Sequence, residues 1–432
     1  MSTPRGGFPM SMRQRPEILI VEFFSRGGLF HYALQLGLAL GRQGRRVTML
    51  TGRKPELMPP PSAADFVLMP RLWTWDPRRQ QRPGAFRRGL HALRYTAAWI
   101  QILWFVRRLR PRAVLLGDLE HRCDAWFCRL LRGSGGTLAD VCHNVVAFDR
   151  RSRGKMLRRE RWRDRLLANF DCVFVHGTAL ADELARRNGC RPLTIPHGAG
   201  DFCAAGACAD PNLRTRLQLP ETAPVALLFG TLTKYKGVRW LLTALAAVAA
   251  HKRPFLVIAG FPAADASLAA WRAEARQLGL ERWVRWHTEY IPWKEVAWYF
   301  RLAAFVVLPY YHASQSGVAH LALSFARPIV ASNVGALPET VAHGVNGLIV
   351  PVGDVAALAQ AIEELAGAPE RCQAMGQQSA QRARELHDWD AVARRVCEGL
   401  AAPPGRRARL PSPGLAPFGL LRAIFAGRRA SR

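Results

Sequence analysis

Two lysines flank a single tyrosine in the stretch VALLFGTLTKYKGVRWLLTAL (225–245), between an apolar run ending at Gly230 and a helical pattern opened by Gly237. The chain has only six lysines, so two ammonium groups at one strand-to-helix turn read as a phosphate-binding device rather than a solvated face. A second stretch, LPYYHASQSGVAHLALSFARPIVASNVGALPETV (308–341), has the same form. Its apolar run ends at Pro309, a polar loop carries Ser314 and Ser316, and Gly317 before Val318 lets a helix begin close to a ligand. The unpaired N–H groups of such a helix start carry about half a unit of positive charge and attract anions. Gly230, Thr231 and Lys236, with Ser316, Gly317 and Val318, form the candidate anion-binding set. Two such starts facing one crevice suit a nucleotide diphosphate.

The other half of the chain offers weaker signals. An apolar run from Ile18 leads into Ser25-Arg26-Gly27-Gly28 and a helical pattern, so Gly28 either brings backbone close to the same diphosphate or simply makes the turn. The spacing is not G-x-G-x-x-G, which argues against a nicotinamide cofactor. His143 ends the run LADVCH (138–143), where an imidazole could bond a sugar hydroxyl or carry a proton. His176 and His197 also end apolar runs, in FVHG and IPHG; His197 beside Gly198 reads as shaping the connection between halves, and neither is expected in catalysis. The triplet Asp388-Trp389-Asp390 opens a late helix and reads as an N-cap, so no metal site is expected there.

Positioning these loops requires strands that end at a common edge. In the first half ILIVEFF (18–24), VTMLT (47–51), AVLLG (113–117), LADVCH (138–143) and CVFVHG (172–177) read as strands, separated by amphipathic segments such as 32–42 and 91–110. The second half repeats the rhythm with VALLFG (225–230), FLVIAG (255–260), FVVLPY (305–310) and PIVAS (328–332). The expectation is an α/β chain of two doubly wound, Rossmann-like domains, 16–205 and 222–385, joined through the turn-rich stretch near 200–222. A last helix at 386–401, read as packing back toward the first domain, and a basic tail at 402–432 would follow, with the site in the cleft between the domains.

Composition narrows the class without choosing a partner. With 432 residues, 49% hydrophobic and 22% charged, the chain is no disordered segment. Its net charge of +29, nearly all from arginine, implies attraction to phosphates, nucleic acid or an anionic membrane face, although a GC-rich coding sequence explains the bias as well. No nucleic-acid-reading motif accompanies the charge, so no nucleic-acid partner is expected. The nine cysteines include no C-x-x-C pair; Cys123/Cys128 and Cys203/Cys208 share an x4 spacing without the further ligands of a zinc site, and reduced cytosolic thiols are expected. The run 18–24 is broken by Glu22 and reads as a strand, not a signal peptide, and 97–106 falls short of the roughly 20 apolar residues that span a bilayer. Aromatic and aliphatic residues mixed with arginines at 91–112, the basic stretch 150–165 and PFGLLRAIFAGRR in the tail have the make-up of interfacial segments, pointing to a cytoplasmic protein peripheral on the inner membrane face.

Across residues 16–400 the chain resembles the GT-B glycosyltransferases and is most similar to glycosyltransferase family 4. The matching pieces are the double-glycine loop with His31, IPHG, FGTLTKYKG, the P-Y-x-x-S-x-S-G loop, ARPIVASNVGALPE, GVNGLIV and the Trp389-Asp390 helix start. The resemblance implies metal-independent, retaining transfer of a hexose from a nucleotide diphosphate sugar, held mainly by the second domain, to a glycan or polyprenyl-linked acceptor in surface or exopolysaccharide assembly. Lys236 and His143 are the candidate catalytic residues, and Ser314 and Glu339 the candidate contacts for sugar or nucleoside. Two departures stand out. Thr231 replaces the family's arginine after F-G, and the paired glutamates E-x7-E are missing, their places falling near Ala313 or Ser314 and near Leu321 or Ala322. A noncatalytic sugar-nucleotide-binding protein of the same fold, an epimerase of that fold and a basic nucleic-acid-binding protein are the alternatives.

Overall fold

The computed structural model describes residues 15–74, 85–117, 119, 121–143, 153–199, 210 and 212–402. The leader 1–14, Cys203 and Cys208, the head of the basic stretch at 150–152 and the tail from 403 lie outside the described residues.

Short runs rich in Val, Ile and Leu become strands buried on both faces, as parallel sheets require. The first sheet contains β1 (Ile18–Glu22), β2 (Val47–Gly52), β3 (Phe66–Leu72), β4 (Ala113–Gly117), β5 (Thr137–Cys142), β6 (Cys172–His176) and β7 (Leu193–Ile195) in the order β3-β2-β1-β4-β5-β6-β7. The second contains β8 (Val225–Phe229), β9 (Phe255–Ala259), β10 (Val284–His287), β11 (Phe305–Leu308), β12 (Ile329–Ser332) and β13 (Gly347–Val350) in the order β10-β9-β8-β11-β12-β13. Every pairing is parallel. β1 stops at Glu22 rather than Phe24, because the Glu22 carboxylate accepts the Phe24 N–H at 2.9 Å and turns the chain out of the sheet. The four strands absent from the sequence reading are β3, which carries Pro70 and Arg71, the three-residue β7, and β10 and β13; all four lie at or next to a sheet edge, where an unbroken apolar run is not needed.

Helices cover both sheets. The first domain contributes α1 (Gly28–Arg42), α2 (Ala85–Leu109), α3 (Asp124–Arg132), α4 (Arg153–Leu167) and α5 (Thr178–Asn188). The second contributes α6 (Leu213–Arg216), α7 (Val238–Ala247), α8 (Leu268–Gln277), α9 (Trp293–Leu302), α10 (Gly317–Ser324), α11 (Leu337–Thr340), α12 (Val355–Gly367) and α13 (Pro369–Leu386). The last helix, α14 (Trp389–Ala401), lies on the first sheet, where Trp389, Val392 and Val396 are buried with Phe30 and Phe174. Asp388 caps it, accepting the Ala391 N–H at 3.0 Å. Strand order reverses between β1 and β4 and again between β8 and β11, which opens a crevice at the carboxyl end of each sheet.

Two carboxylates tie the domains together, each capping a helix of the other one. Glu339 on α11 accepts the N–H groups of Thr178 and Ala179 at 3.0 and 2.8 Å and the Thr178 hydroxyl at 3.1 Å, satisfying the start of α5. It can reach because Gly177 precedes that helix at φ 105°, where an added Cβ would stand 2.7 Å from the Glu339 Oε2. Glu56, in the loop after β2, accepts the Trp293 N–H at the start of α9 at 3.0 Å. Loss of a helix cap costs about 1 kcal/mol. Glu339→Ala should therefore lower the urea midpoint of the whole chain, and Gly177→Ala should do the same by expelling the carboxylate; wild-type midpoints in both would show that the contact contributes nothing.

Candidate active-site cleft

The two crevices face one another across a cavity of about 570 Å³ lined by both domains. On the second domain, β8 ends at Phe229 and the chain makes a single 3-10 turn, Lys234–Lys236, before α7. Gly237 closes that turn at φ 68°, with the Pro309 carbonyl 1.9 Å from where a Cβ would be, so only glycine lets the turn sit against the loop after β11. The packing fixes Lys236 beneath the cleft. Its Nζ donates to the Phe229 carbonyl at 2.8 Å and lies 5.7 Å from the centre of the Tyr310 ring. Burial lowers its pKa to about 7. The two lysines of the motif thus part company: Lys234 is exposed, its backbone N–H bonded to Asp265, and only Lys236 lines the cavity.

The start of α10 lies beside it. Ser316 is the N-cap, and its hydroxyl accepts the Ala319 N–H at 3.3 Å, so the side chain serves the helix. Helix geometry leaves the N–H groups of Gly317 and Val318 without an intrahelical acceptor, and both residues line the cavity with Gly230 and Thr231. From the first domain Gly28, the first residue of α1, lines the opposite wall. Neither α1 nor α10 has an acidic residue in its first turn, so both helix ends present uncancelled positive potential.

His143 lines the cavity at the end of β5, its ring edge-on to Tyr32 at 4.5 Å. Burial, then His197 and Arg163, push its pKa down to about 3, so the imidazole is neutral at ordinary pH. It suits a hydrogen bond to a hydroxyl better than delivery of a proton. Ser314 and Glu339 do not reach the cavity. Ser314 is buried behind it, its carbonyl accepting the Ala336 N–H at 3.0 Å, and Glu339 is spent on α5. Gln315, one residue along, lines the wall instead.

Sequence reading missed several lining residues. Glu56 accepts the Tyr290 hydroxyl at 2.9 and 2.8 Å and pairs with His31 at 3.0 Å, while the His31 ring stacks on Trp293 at 3.7 Å. Burial alone would raise the Glu56 pKa, but the hydrogen bond and charge of His31, with bonds from Trp293 and Tyr290, bring it down to about 2. This interdomain contact is therefore intact above the ordinary carboxylate range and is lost only as pH falls toward 2. His197 and His320 also line the cavity, stacked on one another at 4.1 Å. The one available signal was placement: Glu56 and His197 follow strands at the carboxyl edge, as His143 does.

Comparison with known proteins agrees with this geometry. Residues 223–367 match the family described as glycosyl transferases group 1. A D-inositol 3-phosphate glycosyltransferase of Streptomyces griseus is 32% identical over 187 residues, 42% of this chain and 39% of that protein. The chain thus spans about two fifths of the curated relatives it matches. Among solved structures, sucrose-phosphate synthase from Thermosynechococcus elongatus superposes with a TM-score of 0.69 at 22% identity, covering 89% of this chain and 98% of that one. HepE from Anabaena, solved with UDP and glucose, superposes with a TM-score of 0.69 at 15% identity, covering 89% and 99%. The chain has the GT-B fold, and the family match falls on its second domain.

Replacing a buried, singly bonded ammonium by an apolar side chain of similar length is neutral or stabilising. Lys236→Met should keep or raise the thermal midpoint while weakening UDP binding by about tenfold or more, the loss expected when a charge-assisted hydrogen bond disappears. Calorimetry on the same preparation reads both, and undiminished UDP affinity would remove Lys236 from the site.

Proposed function

We propose that the chain transfers a hexose from a nucleotide diphosphate sugar to a hydroxyl of a glycan or polyprenyl-linked acceptor in bacterial surface polysaccharide assembly, with retention at the anomeric carbon. The observation that carries the reading is convergence: a Cβ on Gly230 would stand 3.0 Å from the Lys236 Nζ and 3.4 Å from the Val318 side chain, so the ammonium and the start of α10 lie together at that glycine on the cavity wall. The names of the inositol phosphate glycosyltransferases and the UDP and glucose bound by HepE support a sugar nucleotide as donor. As the glycosidic bond breaks, negative charge gathers on the leaving diphosphate, where fixed donors in a water-poor cleft stabilise it most. With an ammonium and two amides in that place, this reading needs no divalent ion at the diphosphate. His143, held neutral, and Gly28 at the α1 start face the transferred sugar and the acceptor side.

Incubating the purified full-length chain with UDP- and GDP-hexoses and a lipid-linked or glycan acceptor, in chelator, should yield product with the donor's anomeric configuration. Lys236→Ala should cut turnover about 100-fold or more. Uptake of sugar nucleotide without hydrolysis or transfer would favour the noncatalytic alternative, altered sugar without acceptor an epimerase, and salt-sensitive binding of random duplex alone a nucleic-acid protein. A pH signature follows from Lys236. Below pH 7 it is charged in the empty site; above, it must take up a proton as the diphosphate binds, so affinity should fall by up to about tenfold per pH unit. Calorimetry of the donor at pH 8 in buffers of different ionisation heat should register that proton.

Peripheral attachment to an anionic leaflet belongs to the same reading. No helix among the described residues is long and apolar enough to cross a membrane. On α2, Leu93, Ile100 and Trp104 recur at helical spacing and are 67%, 59% and 51% exposed, with Trp126 of the neighbouring α3 51% exposed. The Arg108 guanidinium lies 5.7 Å from the Trp104 ring, and the chain's charge of +29 complements an acidic surface. Cosedimentation with phosphatidylglycerol vesicles should fall severalfold in an Ile100→Glu/Trp104→Glu double variant and at high salt, and equal binding by that variant would take α2 out of the contact.

A further inference from the structure

Three histidines from successive strand ends of the first domain meet behind the cavity. His143 follows β5, His176 ends β6, and His197 follows β7; His143 and His176 are buried, His197 is half-buried at the cavity wall, and one ring nitrogen from each lies within 4.8 Å of the others. Sheet pairing sets this arrangement, because β5, β6 and β7 are neighbours and their ends align. The Tyr32 ring stands among them, its centroid 4.5, 5.2 and 5.1 Å from those of His143, His176 and His197. Neither the Tyr32 hydroxyl nor the His143 Nδ1 has a hydrogen-bond partner among the described residues, although both are buried. Buried polar atoms without partners at one point mark a place where a ligand completes the structure.

We propose that His143, His176 and His197 form a binding site for a borderline divalent transition ion of the Zn2+ type, with an open fourth position toward the cavity. Neutral imidazoles are the ligands such ions prefer, and three of them offer nitrogens within 4.8 Å of one another here. The His197 Nδ1 is 3.0 Å from the Gly198 carbonyl, which fixes Nδ1 as the donor and leaves Nε2 its lone pair, and both ring nitrogens of His176 are without a hydrogen-bond partner among the described residues. Tetrahedral binding at the usual metal–nitrogen length of about 2.0–2.1 Å sets nitrogens about 3.4 Å apart, so the rings close by about 1.4 Å at most. Because His143 and His197 also line the cavity, and the His197 Nε2 lies 4.0 Å from where a Cβ on Gly317 would stand, an ion here occupies the cleft beside the start of α10. The site stands whether or not the sugar-nucleotide reading holds.

The test uses the full-length chain stripped with chelator and titrated with Co2+ as a spectroscopic probe. One equivalent should produce a visible ligand-field band, displaced by Zn2+. His176→Ala should weaken Co2+ binding at least about tenfold, while His251→Ala, exposed on the other domain, should keep the band. His143→Gln carries the comparison if His176→Ala does not fold. UDP affinity measured on metal-free samples of the same variants reads the anion site independently, so loss of the band with UDP binding intact in His176→Ala assigns the effect to the histidines. No band in the wild type, or a band indifferent to both His176 and His143, overturns the proposal.

Discussion

A desolvated ammonium with a single backbone acceptor is the constraint around which the second domain is organised. Lys236 is fixed below the cavity by a 3-10 turn, a left-handed glycine and the Pro309 carbonyl, and in the empty site its charge is disfavoured enough to bring its pKa to about 7. A buried cation without a counterion is poised for an anion, because the anion's arrival removes the penalty that burial imposed. The start of α10 lies with that ammonium beside Gly230, and its helix-end N–H groups add charge that neither titrates nor reorganises.

The carboxylates at the junction of the two domains are engaged elsewhere. Glu56 is bonded to His31, Tyr290 and the start of α9, and Glu339 to the start of α5, so each carboxylate neutralises a helix end of the opposite domain. One set of bonds therefore both holds the domains together and pairs these carboxylates with hydrogen-bond donors. Closure and electrostatics are coupled because the same groups serve both.

Local features were legible in the sequence and cross-chain ones were not. Central strands announce themselves as unbroken apolar runs, and the glycine-opened starts of α1 and α10 lie within a few residues of the strands that precede them. The edge strands β3 and β10 carry Pro70, Arg71 and Arg285 and read as loops. Lys234 and Lys236 look equivalent in a string of letters, and only the 3-10 turn sends one into the cavity and the other to solvent. The contact of Glu56 with Trp293 spans 237 positions and belongs to two domains, so no local pattern could encode it. His197 was read as a shaper of the interdomain connection, whereas its ring stacks on His320 of the second domain within the cavity wall.

The missing glutamate pair acquires a physical meaning from the walls that replace it. Near the second family position stands Leu321, which lines the cavity and offers a nucleoside apolar contact but no acceptor for hydroxyls. Near the first stand Ala313 and Ser314, and Ser314 is occupied with the backbone of the Ala336 loop. Hydroxyl recognition on this side then falls to Gln315 and to backbone, which bond without charge and tolerate more than one orientation of a hydroxyl. An ionised carboxylate pair would have discriminated among sugars by charge-assisted bonds. A neutral wall discriminates less by energy and more by shape, which shifts selectivity toward the imidazole-lined first domain, where His143 and His197 face the same space.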